Sequence, residues 1–338
     1  MTGKASGRLA VRALATLMIA APLLALTGAR ALAGSFDGNW VALLPPQENC
    51  NGTAIMTLTM SDNTFQGQTR TSRSTLAFSG TIDAEGNGTM VIYPRSSGTI
   101  RFAGDHFDAN WNERACRRHA LGDRALSSSD AAAAYAQRKQ QQSRYADLTR
   151  RAAQGDPSVD FTLLRAAYPY TDQWDPYGNK TTALLDQAAA AATGKDCVTA
   201  LEKLDEILKL DFTIDAAHAL RSDCLTASAR EPAARIESTI ADGLIHSLMD
   251  SGDGNTEASA YVVMTQREEM DVLANRHLQV KLRQSQVRGE NGRFYDVVQG
   301  TAATDGALVK TVYFDVSSFV AGRRSRMAAI DTLASTTP

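Results

Sequence analysis

The sequence predicts an α+β protein: a small antiparallel β-barrel or sandwich, then a mainly helical segment that leads into a small antiparallel sheet. Three observations support this. Short alternating polar and apolar runs fill residues 35–126, strong helix formers and helical apolar spacing fill 131–249, and strand-like runs return after residue 260. The 338 residues have room for about two domains.

The first 33 residues form a separate element with the features of a secretory signal peptide. Basic residues precede an apolar run over 13–26, and Ala31-Leu32-Ala33 follows, just before Gly34. This order is the signature of export and cleavage, and the apolar run is too short for a permanent transmembrane helix. We therefore predict a periplasmic or secreted protein that starts near Gly34 and, with no cysteine near the cleavage site, has no lipid anchor.

The charge of the mature chain argues against two classes of partner. Removing residues 1–33 takes away four basic residues and no acidic one, so the net charge falls from -2 to -6. Such a chain has no basic excess for binding nucleic acid or an anionic membrane surface. No later apolar segment reaches the length of a membrane span. A protein, peptide or glycan ligand in the cell envelope is the expected partner.

Residues 34–126 are predicted to form an all-β domain. Within 53–60, apolar Ala54, Met56 and Leu58 alternate with other residues at the period of a half-buried strand. Turn signals recur every eight to twelve residues, which favours an antiparallel meander. A barrel of about 90 residues should be filled by its own side chains. The predicted strands cover 36–44, 53–60, 64–70, 75–82, 88–93, 98–102 and 106–111.

The triplet Gly38-Asn39-Trp40, at the head of the first strand, resembles the G-x-W motif of lipocalin-type barrels. In that family the Trp closes one end of the barrel and an Arg from the last strand packs on it. Arg114 or Arg117 would take that role here. An ordinary core Trp on a β-strand explains the same triplet.

Residues 127–130 are predicted to be a linker whose serines also offer a helix N-cap. A helix is predicted from 131 to about 154, where Gly155-Asp156-Pro157 ends it. The second domain is placed at 131–320 and a C-terminal tail at 321–338. Its other elements are predicted as helices over 158–168, 233–249 and 268–275 and strands over 261–264, 279–287, 293–298 and 309–316.

The stretch 181–228 resembles a tetratricopeptide repeat. Ala200 stands at the repeat's small-residue position, and Leu208 and Leu210-Asp211 match its ending, whereas Phe212 replaces the usual Pro. About one and a half units are visible, and a solenoid needs about three. We therefore predict a tetratricopeptide-like helical hairpin within a larger domain.

Four cysteines allow three disulfide pairings. Counted from the predicted hairpin turn, Cys197 and Cys224 differ by three positions, a mismatch of about 4.5 Å along the helix axes. We predict a Cys197–Cys224 bridge and a Cys50–Cys116 bridge, because this pairing keeps both bridges within domains. An oxidising compartment outside the cytoplasm would let both form.

An ordered set of motifs runs over about 143–320. The motifs are Asp160-Phe161-x-x-Leu164-Arg165-x-x-Tyr168, Asp175-Pro176-Tyr177, Ser251-Gly252-Asp253-Gly254, Ala260-x-Val262-Val263 with Glu268-Glu269, Tyr295-Asp296-Val297 and Tyr313-Phe314-Asp315-Val316. Together they resemble the exported bacterial family called domain of unknown function 4919. The resemblance implies a bacterial envelope or secreted protein and supplies no activity, cofactor or catalytic residue.

Two groups of residues are candidate binding positions. Tyr170, Trp174 and Tyr177 form an aromatic loop that would line a peptide or glycan groove or, alternatively, cap the helical core. His218 and His246, on helices expected to be neighbours, would approach Asp253 in an envelope hydrolase or a metal-dependent enzyme. A packed, hydrogen-bonded His is the alternative for both histidines.

The remaining chemistry in the sequence is sparse. A loop over 250–257 has oxygen ligands but misses the EF-hand spacing. Asp253 with Glu268 or Glu269 would make a carboxylate pair for acid–base work. No catalytic residue, metal ligand or cofactor is assigned, and no nucleophile elbow, P-loop or dinucleotide motif occurs. An exported binding or interaction protein is therefore expected.

Overall fold

The computed structural model describes most of the chain after the predicted signal peptide. The signal peptide, its cleavage site and Cys50 lie outside the described residues. The described residues are 36–44, 54–71, 74–93, 96–113, 116–289, 292–302 and 309–335.

The N-terminal domain is a closed barrel of eight antiparallel strands, each paired with the next in sequence. The eighth strand was not predicted; it pairs with the first strand and closes the barrel. Consecutive polar residues over 117–119 hide its alternation in the sequence. The strands are β1 (Gly38–Leu44), β2 (Ala54–Ser61), β3 (Thr64–Arg70), β4 (Thr75–Ile82), β5 (Asn87–Ile92), β6 (Ser96–Ala103), β7 (His106–Glu113) and β8 (Cys116–Arg124).

Local chemistry fixes the hairpins of the barrel. The β2–β3 turn is formed by Asp62 and Asn63, with φ of 51° and 61°. Two consecutive positive φ values give a type I′ turn, whose twist matches that of the flanking strands. The register that follows places alternate residues of β2 in the core, as their sequence alternation predicts.

Glycines opposite large rings allow the barrel interior to close-pack. A Cβ added to Gly67 would lie 2.6 Å from the Phe78 ring, and one added to Gly122 would lie 2.1 Å from the Phe107 ring. Trp40 contacts other rings of the interior, including Phe102 at 4.9 Å between centroids and Phe107 at 6.2 Å. Side chains therefore fill the barrel as expected for its size. The opposed pairs are Gly67 and Phe78, Gly80 and Phe65, Gly98 and Trp111, and Gly122 and Phe107.

Trp40 lies in this interior with 1% of its surface exposed. Its indole N–H donates to the carbonyl oxygen of Phe36 at 3.0 Å. The guanidinium of Arg124 lies 4.5 Å from the ring centroid, because β8 pairs Arg124 opposite Trp40. Within the described residues, the arginine on the tryptophan is thus Arg124; Arg117 is exposed, and the prediction for Arg114 lies outside the described residues.

Eight α-helices lie within the described part of the second domain. None of the described helices combines the length and apolarity needed to cross a membrane. The first begins inside the predicted linker, where Ser127 Oγ accepts the N–H of Asp130 at 3.2 Å. The helices are α1 (Ser128–Ala153), α2 (Phe161–Ala167), α3 (Thr182–Thr193), α4 (Cys197–Leu210), α5 (Asp215–Ala227), α6 (Glu231–Met249), α7 (Gln266–Asn275) and α8 (Ser317–Ser335).

Helices α4 and α5 form the predicted helical hairpin. Buried Asp211 holds the turn between them, accepting the N–H and the hydroxyl of Thr213 at 2.8 and 2.6 Å. The hairpin buries a small apolar cluster that includes Leu204 and Ile207. Its likeness to a tetratricopeptide repeat stays a prediction.

The C-terminal sheet is mixed, which corrects the antiparallel prediction. Its strands are β9 (Tyr261–Val262), β10 (Leu278–Arg288), β11 (Phe294–Ala302) and β12 (Val309–Asp315), in the order β10-β11-β12-β9. β9 pairs parallel with β12. The chain leaves β9 through α7 and enters β10 at the opposite edge, so β9 never pairs with the strand that follows it.

Helix α8 joins the two domains. Arg323 and Arg324 each place a guanidinium nitrogen 3.6 Å from a carboxylate oxygen of Asp123 on the barrel. His106, beside Asp123, makes an edge contact with the ring of Phe294 at 5.1 Å. The segment assigned as a C-terminal tail, 321–338, therefore lies largely in a helix that contacts the barrel.

Burial at this junction shifts the pKa values of the barrel residues. Burial lowers the pKa of His106, and Arg323 lowers it further, whereas the hydrogen bond that His106 donates to Asp123 acts to raise it. Burial acts to raise the pKa of Asp123, but Arg323, His106 and Arg324 together hold it below its ordinary value. The junction therefore favours a neutral histidine beside an ionised aspartate.

Candidate functional site

Part of the predicted aromatic loop belongs to the core of the second domain. Trp174 is 3% exposed, and its indole N–H donates to the carbonyl oxygen of Met264 at 2.9 Å. Its ring contacts Phe319 of α8 edge-on at 6.0 Å. Tyr177, 38% exposed, meets the same Phe319 at 6.4 Å. These contacts match the capping interpretation of the loop.

Tyr170 lies apart from that core, beside α1 and α8. Its hydroxyl accepts a hydrogen bond from Gln137 of α1 at 3.3 Å. It lines a cavity of about 540 Å³ between α1, α8 and β11, together with Asp130 and Arg324 among others. Arg324 already faces Asp123 of the barrel. All of its described lining residues except Leu126 follow residue 127, so the cavity belongs to the second domain.

The structure places His218, His246 and Asp253 in different environments. His218 is fully buried, and its ring nitrogens bond to the Glu237 carboxylate at 2.6 Å and the Phe212 carbonyl at 2.9 Å. His246 is exposed on α6. Asp253 is exposed and accepts hydrogen bonds within its own loop, which hold its pKa below the ordinary value. Within the described ranges, no group of three His, Cys, Asp or Glu is placed to hold a metal ion.

The carboxylates considered for acid–base work have structural partners. Arg165 donates to both oxygens of Glu268, at 2.8 and 3.0 Å, in a buried bidentate ion pair. Glu269 is fully buried beside Arg283 and Asp296. Burial, then the charge of Asp296, raises its pKa well above the ordinary value. Glu268 therefore connects α7 to α2, and Glu269 connects α7 to β10.

A carboxyl group that the sequence did not single out titrates near neutrality. Burial, followed by the charge of Asp215, raises the pKa of Asp271 to about 7. Arg267, one turn earlier on α7, donates to Asp271 at 3.1 Å. Asp271 can therefore take up or release a proton near neutral pH, but it has a salt-bridge partner and lines none of the cavities described here.

Cys197 and Cys224 meet across the α4–α5 hairpin. Both are free thiols in the structure, and a hydrogen bond joins them. Burial and then this hydrogen bond raise the pKa of the Cys224 thiol to about 12. The other proposed pair stays a prediction, since Cys50 and the side chain of Cys116 lie outside the described residues.

The barrel carries the largest groove described here, on its outer wall. It measures about 700 Å³ and follows the outward-facing residues of β1 to β4. Strand pairing sets these side chains in two rows. One row runs across the four strands through Asn39, Thr59, Gln66 and Ser79.

The second row lies two residues further along the strands. It consists of Val41, Thr57, Gln68 and Ala77 on the same four strands. Tyr93, just past β5, extends this row, because its N–H bonds to the carbonyl oxygen of Ala77 at 3.0 Å. Tyr93 is 58% exposed.

The groove is uncharged and combines hydrogen-bonding with apolar lining residues. None of the 14 described residues that line it is charged, in a chain where 21% of residues are. Thr59 donates to the side-chain oxygen of Asn39 at 2.9 Å. The side-chain amides of Gln66 and Gln68 are exposed, and neither side chain makes a hydrogen bond to another residue of the described chain. The arrangement offers donors and acceptors to a polar ligand without an ionic contact.

No family model matches this chain, and neither the curated proteins nor the solved structures gave a match. The resemblance to the domain of unknown function 4919 family therefore stays a prediction.

Proposed function

We propose that this chain is an exported binding protein without catalysis of its own, and that the outer groove of its barrel binds the ligand. One observation carries the proposal: an uncharged, hydrogen-bonding groove of about 700 Å³ on the wall of a barrel with a filled interior. Its size falls in the range of about 300–1,000 Å³ typical of small-ligand sites.

The groove is held rigid by the strands beneath it. Each of β1 to β4 is hydrogen-bonded on both sides, because the barrel is closed. The backbone of such a surface has little freedom to lose when a ligand binds, which lowers the free-energy cost of association. The second domain contacts the barrel through His106 and Asp123, while Thr57, Thr59 and Gln66 in the groove stay exposed.

The predicted compartment suits such a role. A cleaved signal peptide would deliver the chain to the periplasm or the medium, where envelope peptides and glycans are the available ligands. Of the residues considered for catalysis, His218, Glu268 and Glu269 are buried with partners, Asp253 is held in a local turn, and His246 is exposed on α6. A protein that only binds a ligand needs none of these side chains for catalysis.

A groove-filling variant tests the proposal. Thr57→Trp adds a large side chain in the middle of the groove, and Thr99→Trp adds the same side chain at an exposed position on β6. Both are outward strand positions that tolerate an aromatic residue. The mature protein should co-sediment with envelope fragments from its native host.

Thr57→Trp should lower that co-sedimentation at least tenfold, while Thr99→Trp should match the wild type. Equal retention of both variants would contradict the proposal, and so would a wild-type protein that stays entirely in the supernatant. Matching circular dichroism spectra establish that both variants keep the fold.

A further inference from the structure

We infer that the ligand of the barrel groove is a neutral oligosaccharide. This inference rests on the proposed function and narrows it from any envelope ligand to one chemical class. Four features of the groove carry it: its charge, its hydrogen-bonding groups, its shape and the closure of the strands beneath it.

The charge of the groove disfavours ionic ligands. Nucleic acids, phosphorylated groups and acidic glycans are bound through Arg or Lys, and none lines this groove. Cationic ligands are bound by carboxylates, and none of these lines it either. A ligand that fits an uncharged surface is itself neutral.

The hydrogen-bonding groups match sugar hydroxyls. A hydroxyl both donates and accepts, and a glutamine amide presents one acceptor and two donors side by side. Gln66 and Gln68 supply two such amides on β3, and Asn39 supplies a third on β1. Thr57 and Ser79 add hydroxyls that take either role. The groove can therefore satisfy neighbouring hydroxyls on one ring.

The shape suits a chain of rings. Four strands spaced about 4.8 Å apart give each row a length of about 14 Å, and the two rows lie about 6.7 Å apart. Tyr93 stands at one end of the second row and is more than half exposed. An aromatic face there can stack on the C–H face of a terminal sugar.

The closed barrel disfavours a peptide. A peptide commonly binds a sheet by adding a strand to an edge, and the paired strands β1 to β4 offer none. Peptide hot spots need deep pockets for large apolar anchors. The outward aliphatic residues here are only Val41, Ala77 and Ala125 among the described lining residues.

The test is a titration of the ¹⁵N-labelled mature protein, followed by NMR. The neutral probes are three hexasaccharides, one of the cellulose type, one of the maltose type and one of the chitin type. The charged probe is an oligogalacturonate of the same length. A neutral hexamer should shift backbone signals of residues in the two rows on β1 to β4. Oligogalacturonate should cause no such shifts.

Single substitutions then locate the contacts. Gln68→Ala and Tyr93→Ala should each weaken the binding of the neutral hexamer about fivefold to tenfold, as expected for one lost hydrogen bond or stacking contact. The matched control is Asn112→Ala, which removes an exposed amide from β7 outside the groove and should leave affinity unchanged.

The inference is overturned if no neutral hexamer binds, if the shifts fall outside the two rows, or if only oligogalacturonate binds. Its failure differs from a failure of the proposed function. If no neutral hexamer binds and Thr57→Trp still abolishes envelope retention, the groove binds another ligand and only the saccharide assignment falls.

Discussion

Replacing Asp123 with Asn should destabilise the junction between the barrel and the second domain. Asp123 is 3% exposed and faces Arg323 and Arg324 of α8, each at 3.6 Å. It also accepts a hydrogen bond from His106 at 3.4 Å. Asn has nearly the same shape as Asp, so the substitution removes the charge and leaves the packing in place.

The magnitude follows from these contacts. Two unit charges 3.6 Å apart attract by about 4 to 5 kcal/mol at an effective dielectric constant of about 20. The cost of desolvating the buried groups offsets much of this, and breaking such a pair costs about 3 to 5 kcal/mol. The Arg324 side chain is 32% exposed, so water screens its share. We therefore expect a loss near the lower bound, about 3 kcal/mol.

Urea unfolding followed by circular dichroism measures this loss. With an m value of about 3 kcal/mol per molar urea, the main transition should move down by about 1 M. The control is Asp186→Asn on the exposed face of α3, which should change stability by less than about 0.5 kcal/mol. An Asp123→Asn curve that overlays the wild type would refute the ion-pair account of the junction.

Protein recovered from an oxidising compartment should carry a Cys197–Cys224 disulfide, seen in non-reducing peptide mapping; it should add about 3 to 4 kcal/mol, and two free thiols there would contradict this. His106→Gln should reduce the loss of stability in acid. Because burial lowers the pKa of His106 in the folded protein, the unfolded chain binds more protons below about pH 6.5. As the pH falls, the wild type should therefore lose up to about 1.4 kcal/mol of stability per pH unit relative to the variant. Parallel stability curves from pH 7 to 5 would rule this out. Arg165→Met should cost about 3 to 5 kcal/mol by stranding the buried Glu268 carboxylate, and adding Glu268→Leu should restore most of it; a double variant as unstable as the single one in urea would count against the ion pair.

The sequence predicts the elements whose pattern is local. The alternation of Ala54, Met56 and Leu58 predicts β2, and the turn residues Asp62 and Asn63 predict where it ends. The small antiparallel domain and the helical hairpin follow from such signals. Strand β8 is not predicted from the sequence, because Arg117 precedes two further polar residues and the alternation of polar and apolar residues is lost there.

The sequence does not predict the domain junction, for a different reason. Arg323 and Arg324 give α8 a polar sequence typical of an exposed tail, but their partner Asp123 is about 200 positions away. A charged residue that is buried by a distant opposite charge looks the same, in sequence, as one in water. The parallel pairing of β9 and β12 is equally non-local.

The sequence does not predict the groove, because each residue that lines it is of a type common on half-buried strands. Thr57, Gln66 and Gln68 follow the alternation of outward polar residues on any half-buried strand. Only the register of four paired strands sets them in rows, and only the fold places Tyr93 at the end of one row. The predicted aromatic loop had a stronger local signal, but Trp174 is a core residue.

Photo-crosslinking in the native envelope tests whether the barrel groove binds the ligand. A photoreactive phenylalanine analogue replaces Gln68, in the middle of the groove, or Asn112, exposed on β7. We expect a ligand adduct at position 68 and none at position 112, with the adduct lost when Thr57→Trp is added. Equal labelling at both positions, or none at position 68, would contradict the claim that this groove binds the ligand.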